Sequence, residues 1–272
     1  MRVNGLLALA LAVTSCAAPP PSPPPPPPHQ RLDFAVSTSA TAARSPSRHF
    51  RAQVLESVRT DRSDARGLEL VGDVLMENTG QAIRAVTPST GDVRARRDVP
   101  PGIGIALSPA GLWQAGAGSV TLRDPGTLAP RLQTALPEVS WGLCDDGTHL
   151  VQSNGTTTLL LRDRDTAALI RSVRLDTRVW STARLGELHC TTVNGRPEVW
   201  ASVTGTDWLV RADLTAATVT AVADLTAVTV AEQPTGADQV IGGIAAAGAT
   251  DQLWITGRHY HHRYRIRLQP QP

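Results

Sequence analysis

Five segments of this chain repeat one pattern at intervals of roughly forty residues, and no other feature limits its fold as much. They are RGLELVGDVLMENTG (66–80), IGIALSPAGLWQAGAG (103–118), WGLCDDGTHLVQSNG (141–155), GELHCTTVNGRPEVWASVTG (186–205) and GGIAAAGATDQLWITG (242–257). Their second residues, Gly67, Gly104, Gly142, Glu187 and Gly243, are spaced by 37, 38, 45 and 56 residues. A second shared unit follows most copies: IRAVTPSTGDV (83–93), VTLRDPGTLAP (120–130), LLLRDRDTAAL (159–169) and WLVRADLTAAT (208–218). Within each repeat, short alternating runs rich in Val, Leu and Thr are broken by Gly, Asp, Asn and Pro, which reads as four strands joined by turns. No stretch carries a long amphipathic helical pattern. One four-stranded sheet cannot bury both faces, whereas five stacked about an axis can. The predicted class is therefore all-β, a five-bladed β-propeller with four-stranded blades.

The two ends of the repeat region fit together. The fifth unit finishes at YRIRL (264–268), one strand short, and HFRAQVLESVR (49–59) precedes the first unit and can supply that strand. Such a pairing closes the ring with an N-terminal strand and leaves no bare sheet edge. Trp113, Trp200 and Trp254 recur at matching second-strand positions, a periodicity that predicts core packing between blades.

Ahead of the propeller, assigned to residues 49–272, the chain reads differently. MRVNGLLALALAVTSC has one Arg, an apolar run from Leu6 to Val13 and small residues leading to Cys16, the pattern of a secretory signal over residues 1–15. Val13-Thr14-Ser15-Cys16 resembles a bacterial lipobox, which would make Cys16 a lipidated N-terminus. Residues 16–48 begin with a nearly pure proline tract and continue rich in Ser, Thr, Ala and Arg, a linker held extended as polyproline. The expected location is the extracytoplasmic face of a bacterial membrane, with membrane contact through the Cys16 anchor only.

Composition removes several chemistries. All 26 basic residues are arginine, so no lysine is present to form a Schiff base. The net charge is only +2, and no basic run is interleaved with aromatics, so nucleic acid is not an expected partner. A monomer is expected. Beyond Cys16 only Cys144 and Cys190 remain, enough for one disulfide in an exported domain. Their offsets within the repeat have opposite parity, which suggests that they face different ways and leaves free thiols as the alternative.

The ordered blade motifs LMENTG (75–80), WGLCDDG (141–147), ELHC with NGRPEVWASVTGTDWLVRAD (187–213) and GIAAAGATDQLWITGRHYHHRYRIRL (243–268) resemble those of the plant-type and bacterial glutaminyl-peptide cyclotransferases. The resemblance runs over essentially all of residues 49–272. It implies a reaction in which the α-amine of an N-terminal Gln attacks its own side-chain amide, expels ammonia and leaves a pyroglutamyl peptide. No cofactor is implied. Such chemistry needs a deprotonated amine, a stabilised oxyanion and a protonated leaving nitrogen.

The residue before each aligned pair opens the innermost strand, so five copies should ring one mouth of the axial channel. In the family pattern these are Gln, Glu, Trp, Asn and Asn; here they are Arg66, Ile103, Trp141, Gly186 and Gly242. Only the Trp is kept, and Ile103 cannot carry the proton that a Glu would. Asp207, Arg258 and Tyr260 complete the channel candidates, with Arg258 standing where the family has Lys and Tyr260 where it has Trp. Glu77 and Glu187 match retained family carboxylates. They are candidate surrogate acid/base groups, although a role in bonding blades together fits their retention better.

Two functions stay open: a cyclotransferase with re-sited acid/base groups, and a non-catalytic propeller that binds a peptide N-terminus or a small anionic ligand. A fully competent cyclotransferase is not what this lining predicts. A metal-dependent propeller hydrolase would need inward carboxylates on several blades, and the ring supplies none. His259, His261 and His262 invite a metal reading, but no Cys or carboxylate lies nearby in sequence, so an exposed His-rich loop is expected and no metal is assigned.

Overall fold

The computed structural model describes residues 48–61, 64–176, 183–236 and 238–272. The signal, the Cys16 lipidation and nearly all of the linker lie outside the described residues. Strand β1 (Arg48–Arg59) is followed by five four-stranded units. Blade one is β2 (Gly67–Val71), β3 (Val74–Asn78), β4 (Ala82–Val86) and β5 (Val93–Asp98). Blade two is β6 (Gly102–Ser108), β7 (Gly111–Gly116), β8 (Ser119–Arg123) and β9 (Pro130–Ala135). Blade three is β10 (Gly142–Asp145), β11 (Leu150–Ser153), β12 (Thr158–Arg162) and β13 (Leu169–Arg174). Blade four is β14 (Leu185–Val193), β15 (Arg196–Val203), β16 (Trp208–Asp213) and β17 (Thr218–Asp224). A short helix, α1 (Thr226–Glu232), leads to β18 (Ile241–Ala247), β19 (Ala249–Gly257) and β20 (His262–Gln271) of blade five.

The innermost strands touch in the cyclic order β2, β6, β10, β14, β18 and back to β2, so the five sheets form a closed ring. Blade five lacks an outer strand of its own sequence, and β1 fills the place. It pairs antiparallel with β20 from His49 to Arg59 and parallel with β17 from Arg48 to Arg51, joining blades four and five into one eight-stranded sheet. Both terminal strand edges are thereby covered.

The outer hairpins show why Asp and Thr repeat. In blade two, Asp124 Oδ1 accepts the N–H groups of Gly126 and Thr127 and the Thr127 hydroxyl, and Leu128 closes the turn at φ 57°. Blade three repeats this with Asp163, Asp165, Thr166 and Ala167, the last at φ 59°. A short acceptor side chain satisfies turn donors that no strand can reach. Buried arginines on the third strands then bond the same turns: Arg123 Nη1 donates to Leu128 O at 3.1 Å and Arg162 Nη1 to Ala167 O at 3.0 Å.

The core lies between blades. Trp113, Trp200 and Trp254 are all buried there. Cys144 and Cys190 form a disulfide, with Cα atoms 5.4 Å apart. The parity argument from sequence therefore needs correction. Stacked about an axis, one blade's front face meets the next blade's back face, so residues that meet are of opposite parity. Cys144 and Val151 look from blade three toward blade four, where Leu188, Cys190 and Val199 look back.

Candidate functional site

Three of the five ring positions, Ile103, Gly186 and Gly242, acquire their geometry from irregular strand openings. The pairing of inner and second strands shifts between Gly102 and Ile105 in blade two, between Leu185 and Leu188 in blade four, and between Ile241 and Gly243 in blade five. Each extra residue is a bulge that re-aims the chain at the mouth of the ring. Second strands brace these openings across blades. Asn78 Nδ2 donates to Ile103 O at 3.2 Å, and Ser153 Oγ donates to Gly186 O at 2.6 Å.

Around the axis these openings enclose a cavity of about 400 Å³. Arg66, Ile103, Trp141, Gly186 and Gly242 all line it, together with Glu187 and Arg258. Trp141 reaches its place because Gly155, at φ +76°, leaves room: a Cβ there would lie 2.7 Å from the indole. The Arg184 guanidinium sits 5.2 Å from the Trp141 ring centroid, a cation–π distance. The glycines are not open space. A Cβ at Gly186 would come within 2.7 Å of Ser202 Oγ, and one at Gly242 within 2.7 Å of Ala65 O. The backbone and small hydroxyls have closed over the positions where the family resemblance places Asn.

Two arginines share one carboxylate at the edge of the cavity. Arg66 Nε donates to Asp64 Oδ1 at 2.8 Å. Arg258 Nε lies 3.3 Å from the same oxygen, yet this buried nitrogen completes no hydrogen bond.

Glu187 is the carboxyl of the lining. It is buried, and neither oxygen completes a hydrogen bond among the described residues. Burial pushes its pKa well above the ordinary carboxylate range, the nearby N–H groups of Leu188 and Leu143 only partly offsetting this, and the charge of Glu69 adds to the rise. Glu69, on innermost strand β2, is raised to about 8 by burial and by Asp145. His189, two residues beyond Glu187 on β14, is lowered to about 4 by burial. Sequence reading singled out neither. Their repeat-mates Ala106, Cys144 and Ala245 carry no carboxylate or imidazole, so the repeat gave no signal at this position.

Other candidates sit elsewhere. Glu77 lies between Arg84 and Arg263, with Nη2–Oε2 at 2.7 Å and Nη1–Oε1 at 2.5 Å, and borders a separate small cavity. Glu77 thus joins blades one and five through two arginine side chains; Glu187 has no such ion pair among the described residues. Asp207 is not in the axial lining, and its Oδ1 accepts the Thr229 hydroxyl of α1 at 2.6 Å. Tyr260 is also absent from that lining. It is buried against Gly257 in the blade-five core, because the turn into β20 folds the ring inward. The His-rich turn is not simply an exposed loop. Buried Glu232 of α1, distant in sequence, accepts from His261 N and lies 2.7 Å from His261 Nδ1, and it accepts the Tyr264 hydroxyl at 2.8 Å.

Comparison with known proteins places these observations. Residues 31–268 match the family model described as glutamine cyclotransferase. No curated protein matches the chain. Among solved structures, the glutaminyl cyclase of Myxococcus xanthus is similar, with a TM-score of 0.75 and 22% identity over 83% of this chain and 99% of that one.

Proposed function

The chain belongs to the glutamine cyclotransferase family, and on that premise we propose that its axial pocket cyclises the N-terminal Gln of a peptide slowly, with Glu187 carrying the proton. One observation carries this reading: a buried carboxyl that completes no hydrogen bond among the described residues lines the same cavity as all five ring positions. Trp141 and Ile103 supply apolar walls against which a Gln side chain can fold back on its own amine.

The neutral α-amine adds to Cδ of the side-chain amide, forming the C–N bond and placing negative charge on the oxygen. Glu187, whose burial favours the acid form, gives its proton to the amide nitrogen. It takes one from the attacking nitrogen, the old C–N bond breaks, and ammonia leaves. Glu187 ends as it began. An N-terminal amine has an ordinary pKa of about 7.7–8.0, so a useful fraction is neutral without a dedicated base. Turnover should therefore rise with pH as the amine loses its proton and fall as Glu187 loses its own.

The losses at the ring argue for a low rate. Ile103 carries no proton, and an absent general acid/base group typically costs ~10²–10⁴-fold. The same losses favour a second reading, a pocket that binds the peptide N-terminus without turning it over. The full chain with an H-Gln peptide decides between them by ammonia release above the spontaneous rate. Glu187→Gln should lower that release by ~10²-fold, and Ile103→Glu should raise it. Release unchanged by Glu187→Gln would remove Glu187 from the mechanism. No release, with the peptide still bound, would leave only the binding reading.

A further inference from the structure

The rim of the axial pocket carries more positive charge than the cyclisation requires. Arg66 and Arg258 line the cavity and Arg184 stands over Trp141 at its edge. Among the described residues, the carboxyls there are Asp64 and Glu187. Asp64 is shared between two arginines, and burial favours the uncharged form of Glu187. Arg258 Nε, buried at this rim, has no completed hydrogen bond. Its lost hydration is offset only in part, by the Asp64 carboxylate 3.3 Å away.

We propose that this rim binds a carboxylate next to the peptide's N-terminal residue, with Arg66 and Arg258 as the reading pair and Asp64 orienting both. The proposal rests on the pocket receiving a Gln amine, and it defines the substrate class: peptides whose first residue is Gln and whose second is acidic. Guanidinium suits this task because its fixed fork of donors matches a carboxylate. The Asp64 pairing engages the Arg66 Nε, and among the described residues no hydrogen bond takes its terminal nitrogens. A cationic rim also disfavours the protonated amine and so favours the neutral, reactive form. The same carboxylate chemistry occurs in free glutamine, whose own α-carboxylate adjoins the amine.

Calorimetric titration of the full chain separates these cases. H-Gln-Asp-Ala-amide should bind roughly tenfold more tightly than the isosteric H-Gln-Asn-Ala-amide, the contribution of one hydrogen-bonded charge. The gap should shrink in salt, vanish in Arg66→Gln or Arg258→Gln, and persist in part in Arg66→Lys. Free glutamine binding more tightly than glutaminamide, with no Asp–Asn gap in the peptides, would move the carboxylate to the α-position and overturn the second-residue assignment. Equal affinities throughout, or a gap that survives both Gln variants, would overturn the rim as a carboxylate reader. Ammonia release measured on the same samples keeps the two readings apart. An Asp preference without ammonia supports the rim and removes the cyclisation, and ammonia without a preference does the reverse.

Discussion

Three glutamates show how one residue type takes three roles according to its surroundings. Glu77 has two arginines on its two oxygens and bonds strands β3, β4 and β20. Glu187 has no ion-pair partner among the described residues and faces the cavity. Glu69 lies between them in character: the Leu107 backbone N–H partly offsets its burial, yet burial and Asp145 raise its pKa to about 8. Because the folded chain holds this acid neutral while the unfolded chain ionises it above about pH 4.5, the stability it permits is complete at low pH. That stability is lost as pH rises toward 8. Glu69→Gln should therefore leave Tm unchanged at pH 4 and raise it by about 3 °C or more at pH 8.5, taking 1 kcal/mol as roughly 2–4 °C in a chain of this size. A Tm difference independent of pH, read by thermal scanning, would contradict the burial account. Glu77 and Glu187 were visible in sequence as retained carboxylates, but their different environments were not, since each depends on strands far away along the chain.

Among elements, the inner strands β10 and β14 are the only pair among the described residues tied covalently. The disulfide closes a loop with a sequence separation of 46, for which chain entropy gives a stabilisation of about 4 kcal/mol. Cys144→Ala with Cys190→Ala should lower the free energy of unfolding by about 2–4 kcal/mol in urea, and reductant should do the same to the native chain and nothing to the variant. An unchanged midpoint would mean that packing between Val151, Leu188 and Val199 already fixes this joint. Helix α1 escaped the sequence reading because seven residues give too few turns for a periodic signal. It nonetheless hangs on Glu232 and Asp207, and the segment after it delivers Val240 and Ile241 to the cavity wall.

At the scale of the whole molecule, the ring depends on β1. Its pairing with β20 and β17 covers two strand edges that would otherwise be free for intermolecular pairing. A chain lacking residues 48–59 should lose its single cooperative unfolding transition and elute as dimers or larger species in light-scattering chromatography. A monomeric, cooperatively folding product would show that blade five closes on blade four without it. The repeat made this closure legible, since a unit short of one strand at one end and a spare strand at the other leave few arrangements. It also made legible that Arg66, Ile103, Trp141, Gly186 and Gly242 share one position. It could not show that the glycines are packed against neighbours, because that depends on how far the bulged backbones of blades four and five move inward.

By itself the sequence determined the periodicity, the number of blades, the turn chemistry of Asp and Thr, and the identities of the ring residues. These are local or repeated properties, set by strand alternation and by which side chains can satisfy a turn. The tertiary structure alone decided which ionisable groups lose water, which of them find partners, and which cysteine faces which. Desolvation and pairing arise only where distant blades converge on an axis, and no spacing along one chain measures that convergence.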